Sequence, residues 1–149
     1  NLMTKDFTKS FLVNLSAPEV FHQVIDARAW WSGLFDEEFA GQSDQLNKEF
    51  EFRAGDGLHY TKQKLVEVIP NQKVVWLVTE SNLSFLQHPE EWAGTKLIFD
   101  IVEEKGKTKV TFTHQGLHPK VECYEACAPA WTQYLEEKLL PLLTSVKQA

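Results

Sequence analysis

Polar and apolar residues alternate along the first legible stretch, "FTKSFLVNL", where Phe11, Val13 and Leu15 share one face. This period of two predicts a strand. "SAPEVFHQVID" follows and changes the period. Ser16 with Glu19 three residues on is a capping-box spacing, and Pro18 sits in the first turn, where its missing N–H costs little. Val20, Phe21, Val24 and Ile25 form the apolar face of a short helix. "ARAWWSG" predicts a second helical turn, stopped by Gly33. Adjacent helical residues point about 100° apart, so Trp30 and Trp31 are expected to face different surroundings, the second lining a pocket mouth.

From residue 35 the pattern becomes that of strands. "FDEEFAG" reads as a weak strand and "KEFEFRA" as a clean one, with Phe50 and Phe52 on one face. "GDG" turns the chain into "LHYTKQKLVEVI", which ends at Pro70; "KVVWLVTES" follows. After a loop, "NLSFLQHPEEWAG", come "TKLIFDIVEE" and "TKVTFTHQ", joined by "KGK". Leu97, Phe99 and Ile101 share a face in the first, Val110, Phe112 and His114 in the second. Successive hairpins imply an antiparallel sheet. From about Pro119 to Val146 the period is helical, with Tyr124, Trp131, Leu135 and Leu142 in one stripe and a kink or a two-part helix expected at Pro129. A sheet with one apolar face and a helix with one apolar stripe cover each other, which gives an α+β fold.

Composition narrows the function. The chain has 149 residues, 43% of them hydrophobic, enough for a single domain over residues 1–149 with its own core. A net charge of −6 without a basic stripe argues against nucleic acid. No apolar run approaches the roughly 18 residues of a membrane span, and no signal-peptide pattern opens the chain, so a cytoplasmic location is expected. At an i, i+4 helical spacing Cys123 and Cys127 are expected to be free thiols, since their Cβ atoms would lie about 5–6 Å apart.

The segments "SAPEVFHQVIDARAWWSG", "EFEFRAGDGLHYTKQKLVEVIPNQKVVWLVTES", "EWAGTKLIFDI", "KTKVTFTHQGL" and "CYEACAPAW" together resemble the START-like superfamily (birch-pollen-allergen-like, SRPBCC), in the branch of the activator of the heat-shock-protein-90 ATPase. The resemblance implies a helix-grip fold. A curved antiparallel sheet of six to seven strands wraps a long C-terminal helix, two short helices follow strand one, and a cavity lies between sheet and helix. It also implies a link to stress response and a chaperone as partner. It supplies no catalytic motif and no cofactor, because the superfamily spans carriers, receptors, cyclases and co-chaperone domains.

The densest chemistry lies in "HQGLHPKVECYEACAPAW", residues 114–131. His114, His118, Cys123 and Cys127 are residue types that bind zinc, but no C-x2-C pair is present. The competing readings place His114 in the core with a hydrogen-bond partner and the cysteines as small packing residues, or make one cysteine a reactive thiol. "AGDG" does not make a phosphate loop, because a strand follows it. His59 and Tyr60 point to opposite faces, His59 toward a solvated hairpin. Trp92 serves either as a lid or as a loop anchor. The expected wall of the cavity is Trp31, Phe35, Phe52, Tyr60, Trp76, Trp92, Phe99, Phe112, His114, Tyr124, Cys127 and Trp131. The leading reading is binding of a small hydrophobic or amphipathic molecule without defined catalysis. Two alternatives stand beside it: a cyclase- or hydratase-type enzyme using the same cavity, and a co-chaperone-like interaction module. An exposed apolar helix face or edge strand would support a homodimer.

Overall fold

A computed structural model describes residues 5–144. Seven strands form one antiparallel sheet in the order β1-β7-β6-β5-β4-β3-β2. They are β1 (Phe7–Val13), β2 (Glu38–Gly41), β3 (Glu49–Ala54), β4 (His59–Ile69), β5 (Lys73–Leu83), β6 (Lys96–Glu104) and β7 (Lys107–Gln115). Between β1 and β2 lie α1 (Ala17–Val24) and the single turn α2 (Ala27–Trp30). The C-terminal helix comprises α3 (Tyr124–Tyr134), a π turn (Leu135–Leu139) and α4 (Leu140–Thr144).

The alternation read from the sequence sets the register. One row runs across the inner face through Phe7, His114, Leu97, Trp76 and Leu65, each paired with the next across a strand boundary. All five are buried. Two register shifts between β4 and β5, at Lys62/Gln63 and Leu65/Glu67, are bulges that bend the sheet. Ser16 caps α1 as its spacing predicts: Glu19 N–H donates to Ser16 Oγ at 3.3 Å, and Ser16 N–H donates to Glu19 Oε1 at 2.9 Å.

Five expectations need correction. Trp30 and Trp31 are both buried, at 0% and 2% exposure. The 100° rule does not apply, because α2 ends at Trp30 and Trp31 leaves the helix (φ −92°, ψ 49°). The C-terminal helix begins at Tyr124, not at Pro119. Pro129 lies inside α3 with its side chain in solvent, and Glu125, whose carbonyl it cannot satisfy, is exposed too. The irregularity comes later, at the π turn, which inserts about one residue into the helical phase. The buried side chain of the last turn is therefore Leu143, not Leu142. Finally, the structure pairs Cys123 and Cys127 as a disulfide. Cys123 is the N-cap of α3, with helical dihedrals (φ −71°, ψ −14°), and its carbonyl accepts from Cys127 N–H at 2.7 Å. The Cα–Cα distance of 5.5 Å falls in the range a disulfide spans. Val146 lies outside the described residues.

Candidate functional site

Four segments carry aromatic side chains to one place. The chain leaving α2 brings Trp31, the inner face of β3 brings Phe52, and α3 brings Trp131. Trp31 stacks on Phe52 with ring centroids 4.0 Å apart, and Trp131 lies 5.0 Å from Trp31. Trp92 comes from the loop between β5 and β6 and stacks on Trp131 at 5.8 Å. It is 3% exposed, so it both anchors its loop and forms a wall. These rings, with Ala54, Cys127, Tyr134 and His59, enclose a cavity of about 220 Å³ between the sheet and α3. Phe35, Leu58 and Phe85 also line it and are 43%, 53% and 48% exposed, so they form its rim.

The rim is tied together by backbone hydrogen bonds. Gly55 N–H donates to Phe35 O at 2.9 Å, and Ser84 N–H donates to Leu58 O at 2.9 Å. Carboxylates attach it to the helix. Glu37 accepts from the N–H groups of Gly33 (2.7 Å) and Phe35 (3.0 Å) and from the Tyr134 hydroxyl. Burial opposes ionisation of Glu37, but these donors outweigh it and hold its pKa below the usual value. Burial, together with the bond to Glu37, pushes the Tyr134 phenol upward. On the other side Glu91 accepts from Glu122 N–H (3.1 Å) and Cys123 N–H (2.6 Å), while Glu122 accepts from Gln87 N–H (2.8 Å) and His88 N–H (2.9 Å). This reciprocal latch joins the β5–β6 loop to the start of α3.

His114 stands behind the wall, fully buried. Trp131 Nε1–H lies 3.0 Å from His114 Nδ1, and an indole nitrogen only donates, so Nδ1 must accept. The ring proton is therefore on Nε2, which donates to Thr95 Oγ1 at 2.8 Å. Thr95 in turn donates to Trp92 O at 2.6 Å. Burial drives the His114 pKa down to about 3, so the neutral tautomer is retained. His59 forms part of the cavity wall, against the expectation of a solvated hairpin, and burial lowers its pKa to about 4. His59 Nε2 and Trp92 Nε1 are enclosed without a protein partner.

Of the residues expected from the sequence to form the wall, Trp31, Phe35, Phe52, Trp92, Cys127 and Trp131 line the cavity. Trp76, Phe99 and Phe112 lie deeper in the core, and Trp76 Nε1–H is spent on Ser43 O at 2.9 Å. Tyr60 is on the outer face, where its hydroxyl meets Glu80 Oε1 at 3.2 Å. Tyr124 is half-buried on the first turn of α3. His118 is half-buried, and among the described residues no group of three or more His, Cys, Asp and Glu is placed to hold a metal ion. Leu58 and Phe85 could not be found from periodicity, because both sit in turns.

An open seven-stranded antiparallel sheet gripping a long C-terminal helix, with two short helices after the first strand, defines a helix-grip protein of the START-like class. Residues 14–143 match the family described as activator of Hsp90 ATPase homolog 1-like protein. The chain belongs to this family. Similar solved structures include the Aha1 dimer from Colwellia psychrerythraea, at 21% identity and TM-score 0.72, covering 97% of this chain and 99% of that one. A protein of Mesorhizobium loti matches at 14% identity and TM-score 0.69, over 95% of this chain and 99% of its own. One of Chromobacterium violaceum matches at 14% and 0.64, over 94% and 99%. No curated protein matches the chain in sequence. Among the described residues no helix is long and apolar enough to cross a membrane.

Proposed function

We propose that this domain binds a small hydrophobic or amphipathic molecule in the cavity between sheet and helix. The cavity itself supports this reading: its inner walls are tryptophan and phenylalanine rings, and its rim leaves three large apolar side chains in water. Concave apolar pockets with few polar groups are the usual form of a small-molecule site. The test is native mass spectrometry of the protein purified from its own host, beside an Ala126→Trp variant. Ala126 is exposed and lines the cavity, so an indole there fills the space without disturbing the core. An organic adduct on the wild type that disappears in the variant is the expected result. An adduct retained by the variant places the ligand elsewhere.

The exposed rim also favours a second reading, a protein-docking module. The family description motivates one assay for it, stimulation of a chaperone ATPase. The dimeric neighbour motivates another, sedimentation over a range of concentrations. An unchanged ATPase rate and a monomer at every concentration would remove this reading.

A further inference from the structure

The disulfide between Cys123 and Cys127 is poorly placed to act as a staple. A cross-link stabilises a fold chiefly through the loop it closes in the unfolded chain, and more so for longer loops. This one spans a sequence separation of only 4. Hydrogen bonds already close the same turn: the N–H groups of Ala126 and Cys127 both donate to Cys123 O, at 2.9 and 2.7 Å. The position of the pair is more telling than its cross-linking. Cys127 lines the aromatic cavity and is 5% exposed. Cys123 is fully buried and lines no part of the cavity, and its N–H is held by Glu91 Oε1 at 2.6 Å. One cysteine therefore meets whatever enters the cavity, and the other stands behind it. Thiol–disulfide exchange depends on access to the sulfur under attack. Here that access runs through the cavity. None of the described residues that line it is Asp, Glu, Lys or Arg, so an uncharged thiol enters more readily than a charged one.

We propose that Cys123 and Cys127 form a reversible dithiol–disulfide couple that exchanges with a compact, uncharged thiol entering the cavity. The thiolate of the entering molecule attacks Cys127 Sγ. The S–S bond breaks, and Cys123 Sγ leaves with the electron pair and takes up a proton. Cys127 now carries the small molecule as a mixed disulfide. A second small thiolate attacks the small molecule's own sulfur and releases Cys127 Sγ, which is protonated in turn. In sum, one protein disulfide and two small thiols give two cysteine thiols and one small disulfide, with two electrons passing to the protein. In the reverse direction the Cys127 thiolate attacks the small disulfide and expels one small thiol. Cys123, whose Cα lies 5.5 Å from that of Cys127, then attacks Cys127 Sγ and expels the second. Cys127 is the exchanging residue and Cys123 the resolving one. This goes beyond the binding reading above and does not rest on it, because exchange needs passage through the cavity and not a lasting occupant.

The test equilibrates the folded wild-type protein with 2-mercaptoethanol and 2-hydroxyethyl disulfide over a range of ratios. Samples are quenched in acid, alkylated with N-ethylmaleimide in denaturant, and weighed by intact mass spectrometry. Molecules are expected to carry no label or two, with the midpoint reached at millimolar thiol and without denaturant. Two labels at every ratio mean that the thiols never pair. No label until urea unfolds the chain means a structural staple. Either result overturns the proposal. The single variants assign the roles. From 2-hydroxyethyl disulfide, Cys127 in Cys123→Ser should gain its adduct at least about tenfold faster than Cys123 does in Cys127→Ser. Equal rates, or the reverse order, overturn the assignment and with it the proposal. Ala126→Trp fills the cavity and should slow reduction of the intact pair by a similar factor. A rate unchanged in that variant means that the thiol reaches the pair by another route, and the proposal falls.

Discussion

His114→Leu removes the acceptor that holds Trp131 and the donor that holds Thr95. A buried indole N–H without a partner costs about 1–3 kcal/mol, and the lost bond to Thr95 adds about 1, for a total near 2–4 kcal/mol at pH 7. For a chain of this length that lowers Tm by about 5–15 °C. The pH dependence separates this account from a simple packing defect. The His114 pKa is depressed from 6.5 to about 3 in the folded state. The unfolded chain therefore binds a proton that the native state refuses, and stability falls as pH drops below 6.5. At pH 4.5 this costs the wild type about 2.7 kcal/mol through His114 alone. The leucine variant lacks that proton site. Urea melts of both proteins from pH 7 to 4.5 should show the gap between them closing by about that amount. His59 titrates in both proteins and cancels. A gap constant with pH would refute the buried neutral tautomer, whatever the size of the loss at pH 7.

Glu37→Gln weakens the charge-assisted bonds from Gly33, Phe35 and Tyr134 and should cost about 1–2 kcal/mol at pH 7. Because the Glu37 pKa is lowered, its contribution is present above the unfolded value of 4.5 and lost as pH falls through the folded one, so wild type and variant should converge in acid melts. Ser16→Ala removes the α1 cap and should lower the urea-derived stability by about 1 kcal/mol. Gly41→Ala places a methyl group against the β3 backbone at Glu49 and Phe50, with φ at 98°, and should cost at least about 2 kcal/mol in the same assay.

The sheet was legible because burial and alternation coincide: Phe50 with Phe52, Leu97 with Phe99, and Val110 with Phe112 and His114 each share the buried face. The α1 boundary was legible because the capping box is local. What the sequence hid is non-local or aperiodic. The partners of His114 lie 19 residues back, at Thr95, and 17 ahead, at Trp131. Trp31 turns inward through a single non-helical backbone conformation that no propensity signals. The rim residues Leu58 and Phe85 sit in turns, where period carries no information about facing.

The π turn at Leu135–Leu139 has a consequence for descent. The turn holds one residue more than an α-helical turn would between two buried anchors, Trp131 before it and Leu143 after it. Relatives with an unbroken α-helix at this point should be one residue shorter between those two positions. Deleting Glu136, an exposed residue inside the turn, should then give a folded protein with an unbroken α-helix and Leu143 still buried.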